Sequence, residues 1–136
     1  MKGNEVDVST KKKCIMIVDD DEAIRMLVGG YFEKDFDTVL MSDGHEALIY
    51  ISENRVPDLI LLDMEMPNMN GRVFLRRIRY GNAKFNKIPI IFLTTVSSKL
   101  IVQSAFKHGV EDYIFKPFKK EELVKKVIAL LYSNSN

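Results

Sequence analysis

Short apolar segments alternate with stretches of helical spacing along this chain, and that alternation constrains its fold more than any other feature. Cys14 to Val18, Thr38 to Met41, Asp58 to Leu62, Ile88 to Leu93 and Asp112 to Phe115 are short and rich in β-branched and aromatic residues, as strands are. After Glu22, the positions Ile24, Leu27, Val28 and Tyr31 set one apolar face on a helix that ends near Lys34, with Gly29-Gly30 weakening its middle. A second helix follows Ser42 or Asp43, either of which can cap it, and buries Ala47, Leu48 and Ile51. Gly71 opens a third, with Val73, Phe74, Leu75 and Ile78 on its apolar face. Ser97 or Ser98 caps a fourth, which carries Ile101, Ala105 and Phe106 and stops at Gly109. The fifth begins after Phe118 and buries Leu123, Val127, Leu130 and Leu131.

Parallel strands need a crossover between them, so five strands alternating with five helices predict an α/β fold, one parallel sheet covered on both faces. The unbroken apolar run Leu59-Ile60-Leu61-Leu62 agrees with burial on both sides. At 136 residues the chain is the size of one domain, too short for a substrate domain beside a cofactor domain. Residues 1–12 read as a flexible leader, 13–132 as the domain and 133–136 as a tail. The longest uncharged stretch near the middle, Ile88 to Ser98, falls short of the roughly 18 apolar residues that span a bilayer, so no membrane partner is expected. A net charge of +1 supplies no global field for nucleic acid, and no direct nucleic-acid partner is expected. Cys14, the one cysteine, cannot close an intramolecular disulfide, which agrees with a cytoplasmic location.

In open parallel sheets, ligands sit beyond the carboxyl ends of the strands. Those ends deliver Asp19 and Asp20, Asp63, Thr94 and Lys116 to one edge. Together they suit phosphoryl transfer to a side chain. Asp63 is an ionised nucleophile able to form an acyl phosphate. Asp19, Asp20 and Asp63 offer hard oxygen ligands to Mg2+, while Lys116 and Thr94 can donate to phosphoryl oxygens.

The stretches Ile15-Met-Ile-Val-Asp-Asp-Asp21, Pro57-Asp-Leu-Ile-Leu-Leu-Asp-Met-Glu-Met-Pro-Asn-Met-Asn-Gly71, Thr94 and Asp112-Tyr-Ile-Phe-Lys-Pro-Phe118 resemble a response-regulator receiver domain of two-component signalling, over roughly Lys13 to Tyr132. The resemblance implies a doubly wound, flavodoxin-like sheet of order 2-1-3-4-5. It implies transfer from a phosphohistidine of a sensor histidine kinase or histidine phosphotransfer protein to Asp63, followed by Mg2+-dependent autodephosphorylation, which makes the domain a signalling switch and not a metabolic enzyme. Mg2+ (or Mn2+) would be held by Asp20 and Asp63, by Asp19 through water and by the backbone carbonyl of Glu65. Lys116 would contact the phosphoryl group, with a cis peptide between Lys116 and Pro117. Thr94 and Tyr113 match the switch pair, which biases a surface of the fourth helix, fifth strand and fifth helix toward a downstream protein target or a homodimer.

Three positions depart from the common pattern. Thr95 is larger than usual and narrows access to Asp63; Glu65 is acidic and Val96 apolar beside the phosphoryl site, and Val96, unable to orient water, implies a long-lived acyl phosphate. The first acidic stretch also resembles haloacid-dehalogenase-type phosphatases with Asp19 as nucleophile, but Ala23 replaces the usual Thr or Val and the chain is short for that fold. No Gly stands where a calcium loop needs one. The Arg72, Arg76, Arg77 and Arg79 face reads as a solvated helix surface, and His45 and His108 as ordinary surface residues. Leu100, Ile101, Val102 and Phe106 exceed what one helix face buries, a surplus open to either protein contact or local packing.

Overall fold

The computed structural model describes residues 12–95 and 99–133. Its order is β1 (Cys14–Val18), α1 (Glu22–Phe32), β2 (Asp37–Met41), α2 (Gly44–Glu53), β3 (Leu59–Asp63), α3 (Gly71–Arg79), β4 (Ile90–Thr94), α4 (Lys99–Lys107), β5 (Asp112–Phe115) and α5 (Lys120–Leu131). The strands form one parallel sheet of order β2-β1-β3-β4-β5, the architecture the resemblance implies.

Side-chain alternation along the strands builds two cores. On one face Met16, Val18, Ile60, Leu62 and Phe92 pack with Ala47, Ile51, Phe74, Ile78 and Ala105, from α2, α3 and α4. On the other, Ile15, Ile17, Leu61, Ile91 and Leu93 pack with Val28 and Phe32 of α1 and Leu123 and Val127 of α5. Each large aliphatic side chain so buried contributes about 2 kcal/mol, and truncating one to Ala costs about 2–5 kcal/mol.

Caps fix where helices begin. Asp21 accepts from the N–H groups of Ala23 and Ile24, Asp43 from His45, and Asn70 from Val73. Ser42 precedes the second cap and takes the reciprocal bond, its N–H donating to Glu46 Oε1 at 3.0 Å. Ser97 and Ser98 lie outside the described residues.

Several elements differ from expectation. β3 starts and ends one residue later than expected and β4 starts two and ends one later, so Asp63 and Thr94 are the last residues of their strands and keep ladder geometry. α1 ends at Phe32, whose ring packs edge-on to Phe36 at 5.9 Å. Leu27 is exposed, because α1 turns Val28, Gly29 and Phe32 inward instead. Gly29 permits that close approach: a Cβ there would meet the Leu40 side chain at 3.2 Å. Val73 is also exposed, and Arg79 is not solvated. Its guanidinium donates to Gly109 O at 2.9 Å, Asn86 O at 3.3 Å and Glu111 Oε1 at 2.9 Å, fastening the end of α3 to the turn before β5. No helix among the described residues is long and apolar enough to cross a membrane.

Candidate acidic site at the strand ends

β1 lies between β2 and β3, so the chain leaves β1 toward one side and β3 toward the other, opening a crevice at their carboxyl ends. Asp19 follows β1 and is fully buried. Its Oδ1 accepts the Asp21 N–H at 2.9 Å, and its carbonyl accepts Arg25 Nη1 at 2.7 Å, which ties the turn to α1. Asp20 is exposed beside it. Asp63 closes β3 with only 2% of its surface exposed, and its Oδ1 accepts the Glu65 N–H at 3.2 Å.

Gly71 sets the wall behind Asp63. Its N–H donates to Met64 O at 2.9 Å, and a Cβ at Gly71 would stand 2.6 Å from Asp63 O and 2.8 Å from Met64 Cα. Asn68, with φ of 69°, takes the left-handed conformation that lets the β3–α3 loop fold back.

One carboxylate oxygen each from Asp19, Asp20 and Asp63 lies within 4.8 Å of the others. The cation facing them is Lys116, whose Nζ donates to Asp19 Oδ2 at 3.0 Å and Asp63 Oδ1 at 3.3 Å. Burial, then the charge of Asp19, pushes the Asp63 carboxyl up to about 7 against the pull of Lys116 and the Glu65 N–H. Burial opposes the Lys116 charge, but the bonds to Asp19 and Asp63 outweigh it and raise its pKa. Three carboxylates against one ammonium leave a local excess of negative charge. Hard oxygens at this spacing fit a divalent cation, which would relieve that excess.

Thr94 is buried at the end of β4, with Oγ1 3.8 Å from Met64 Sδ, and its carbonyl accepts the Lys116 N–H at 2.8 Å. The Lys116–Pro117 peptide is cis. Tyr113 is half-buried, its ring 5.6 Å from that of Phe106 and 5.1 Å from that of Phe115, each edge-on. Thr95 Oγ1 donates to Glu65 Oε1 at 2.8 Å, joining the β3 and β4 exits at the exposed rim. Val96 lies outside the described residues. His45 is exposed, whereas His108 is half-buried with its ring edge-on to Tyr80 at 6.3 Å. Sequence reasoning missed Arg25, the close packing of Gly71 against Asp63 and the Thr95–Glu65 bond. Gly71 alone left a signal, as a lone glycine at a helix start.

A doubly wound sheet with this acidic cluster and lysine at its carboxyl edge defines a response-regulator receiver domain, and the chain belongs to that family: the receiver-domain family model matches residues 15–128. Among relatives, the chain is similar to the DNA-binding response regulator MtrA of Mycobacterium tuberculosis, 38% identical over 130 residues, covering 95% of this chain and 55% of MtrA. The chain therefore spans about half the length of such relatives. Among solved structures it is similar to the Francisella response regulator 1452 receiver domain (31% identical, TM-score 0.79, covering 91% of this chain and 99% of that one). It is also similar to the Mn2+-bound form of response regulator Rcp1 (27%, TM-score 0.74, 88% and 92%). Rcp1 is thus a similar protein seen with Mn2+ bound, and in this chain, among the described residues, Asp19, Asp20 and Asp63 form a group that could hold such an ion. The expectation that nucleic acid is no partner is overturned by the MtrA relatives, which are DNA-binding response regulators about half of whose length this chain spans. Net charge misled there, since it says nothing of a chain's local fields or of what a longer relative carries.

Proposed function

We infer that Asp63 accepts a phosphoryl group from a phosphohistidine donor, and that the domain, residues 13–132, works as a cytoplasmic phosphorylation switch that later hydrolyses its own acyl phosphate. The observation that carries this is Lys116 Nζ bridging Asp19 and Asp63, at 3.0 and 3.3 Å, beside Asp20. Asp63 Oδ2 attacks phosphorus in line, the histidine nitrogen leaves, and an acyl phosphate forms. Asp20, Asp63 and the Glu65 carbonyl, with Asp19 through water, would hold Mg2+, which when bound would neutralise charge on the transferred group. Lys116 moves from carboxylate partner to phosphoryl partner, and Thr94 donates its hydroxyl to another phosphoryl oxygen. Tyr113 reads that movement through its contacts with Phe106 of α4 and Phe115 of β5.

The phosphatase alternative has no support from the family match, which covers residues 15–128 with a receiver-domain model. Incubation with acetyl phosphate and Mg2+, read by intact mass, should add one phosphoryl group to the protein and none to Asp63→Asn. Equal phosphorylation of that variant would refute the assignment.

A further inference from the structure

Between Glu65 and Glu111 the chain carries no carboxylate side chain: Met66 to Val110 hold eight Lys and Arg and no Asp or Glu, while the rest hold twelve against nineteen. The net charge of +1 therefore hides a polarised molecule. That segment supplies α3, β4 and α4 and the connections between them. Arg79 is neutralised by Glu111. Arg72, Arg76 and Arg77 are exposed, and among the described residues none of the three is in an ion pair.

Two adjoining clefts open on these guanidiniums. A cleft of about 560 Å³ is lined by Val73, Arg76, Arg77, Tyr80 and Gly81. Another, of about 210 Å³, lies between α3 and α4, where Arg72 and Arg76 face Ser104 and His108. Tyr80 is 72% exposed, with its ring at a steep angle to that of His108. Lys84 and Lys87 are exposed on the connection after α3, and Lys107 on the last turn of α4.

We propose that this α3–α4 face binds the phosphate backbone of nucleic acid. Arg72 and Arg76, one helical turn apart, stand on the same side of α3, and planar guanidiniums take phosphate oxygens bidentately. A duplex presents one negative charge per about 1.7 Å of axis, so a row of unpaired cations meets several phosphates together. The exposed Tyr80 ring can stack on a base where a strand end or single strand reaches it. An acidic protein segment would use the same Tyr80 and arginines as anchors, but exposed cations at Arg72, Arg76, Arg77, Lys84, Lys87 and Lys107 match the repeating charge of a phosphate backbone better. The site uses none of Asp19, Asp20 or Asp63, so it stands or falls independently of phosphoryl transfer.

Fluorescence anisotropy of a labelled DNA duplex, and of one of its strands, titrated with the full chain tests this. Binding at low salt should weaken about 20-fold when salt is raised threefold, as expected for some three phosphates neutralised. Replacing Arg72, Arg76 and Arg77 together by Ala should weaken binding at least tenfold and flatten the salt dependence. Arg76→Glu alone should weaken it measurably, and Lys119→Ala with Lys125→Ala should not; circular dichroism checks each fold. No binding by the wild type, undiminished binding by the triple variant, or tighter binding of polyglutamate than of the duplex at equal charge would overturn the proposal, the last assigning the face to an acidic protein.

Discussion

Lys116 Nζ lies 3.0 Å from Asp19 and 3.3 Å from Asp63, so a single ammonium from the end of β5 holds together two carboxylates that follow β1 and close β3. Both carboxylates are almost wholly buried, and Lys116 is itself only 16% exposed. Lys116→Ala leaves them facing each other in a low dielectric, and should cost about 3 kcal/mol in metal-free protein. Urea denaturation at pH 8 with a chelator measures it. Added Mg2+ should restore much of the loss; a variant as stable as wild type without metal would refute the role of Lys116 as their counter-ion.

The raised Asp63 pKa sets a pH dependence with a definite sign. Between the ordinary value of 3.8 and about 7, the folded metal-free chain keeps a proton on Asp63 that the unfolded chain has released, so this group makes stability fall as pH rises through that window. Lys116 acts in another range: its raised pKa contributes stability at neutral pH that is lost as pH climbs through the folded value. Asp63→Asn should remove the lower slope and leave the variant more stable than wild type above pH 7 in chelator. Parallel melting curves of the two proteins from pH 5 to pH 8 would count against the assignment.

At Gly71 there is no room for a methyl group. The atoms in the way are Asp63 O at 2.6 Å, Met64 Cα at 2.8 Å and Phe92 Cε1 at 2.9 Å, two of them backbone that cannot rotate aside. Gly71→Ala should destabilise the fold by about 2 kcal/mol and slow phosphorylation by displacing Asp63. Thermal melting and the acetyl phosphate rate, measured on the same sample, should both fall.

Arginines on α3 should separate sharply by position. Arg79→Ala removes three bonds from a side chain 11% exposed and strands the Gly109 carbonyl, at a cost of about 2–3 kcal/mol. Arg72→Ala, on the exposed face, should change stability by less than about 0.5 kcal/mol. Equal losses for the two in chemical denaturation would contradict this division.

Much of the fold was legible because its signals are local. Strand-length apolar runs, helix spacing and capping residues such as Asp43 before α2 mark elements without any knowledge of tertiary partners. Asp19, Asp20, Asp63, Thr94 and Lys116 could be grouped from the sequence since parallel strands bring their carboxyl ends to one edge whatever the packing. Boundaries slipped where a functional residue also completes a strand, as at Asp63 and Thr94. Leu27 was misplaced because Gly29 carries no apolar signal, although its lack of a side chain is what draws α1 against Leu40. Arg79 looked like its neighbours on α3, since its partner Glu111 stands 32 positions away. The Thr95–Glu65 bond and the Arg25 bond to the Asp19 carbonyl depend on loop geometry that no periodicity encodes.

Asp63 as the phosphorylated residue is the central claim, and borohydride trapping tests it most directly. After phosphorylation by acetyl phosphate with Mg2+, borohydride reduces an aspartyl acyl phosphate to homoserine, which peptide mass spectrometry can place. Homoserine at position 63, lost when a chelator replaces the metal, is the predicted result. Homoserine at position 19, or at neither position, would contradict it.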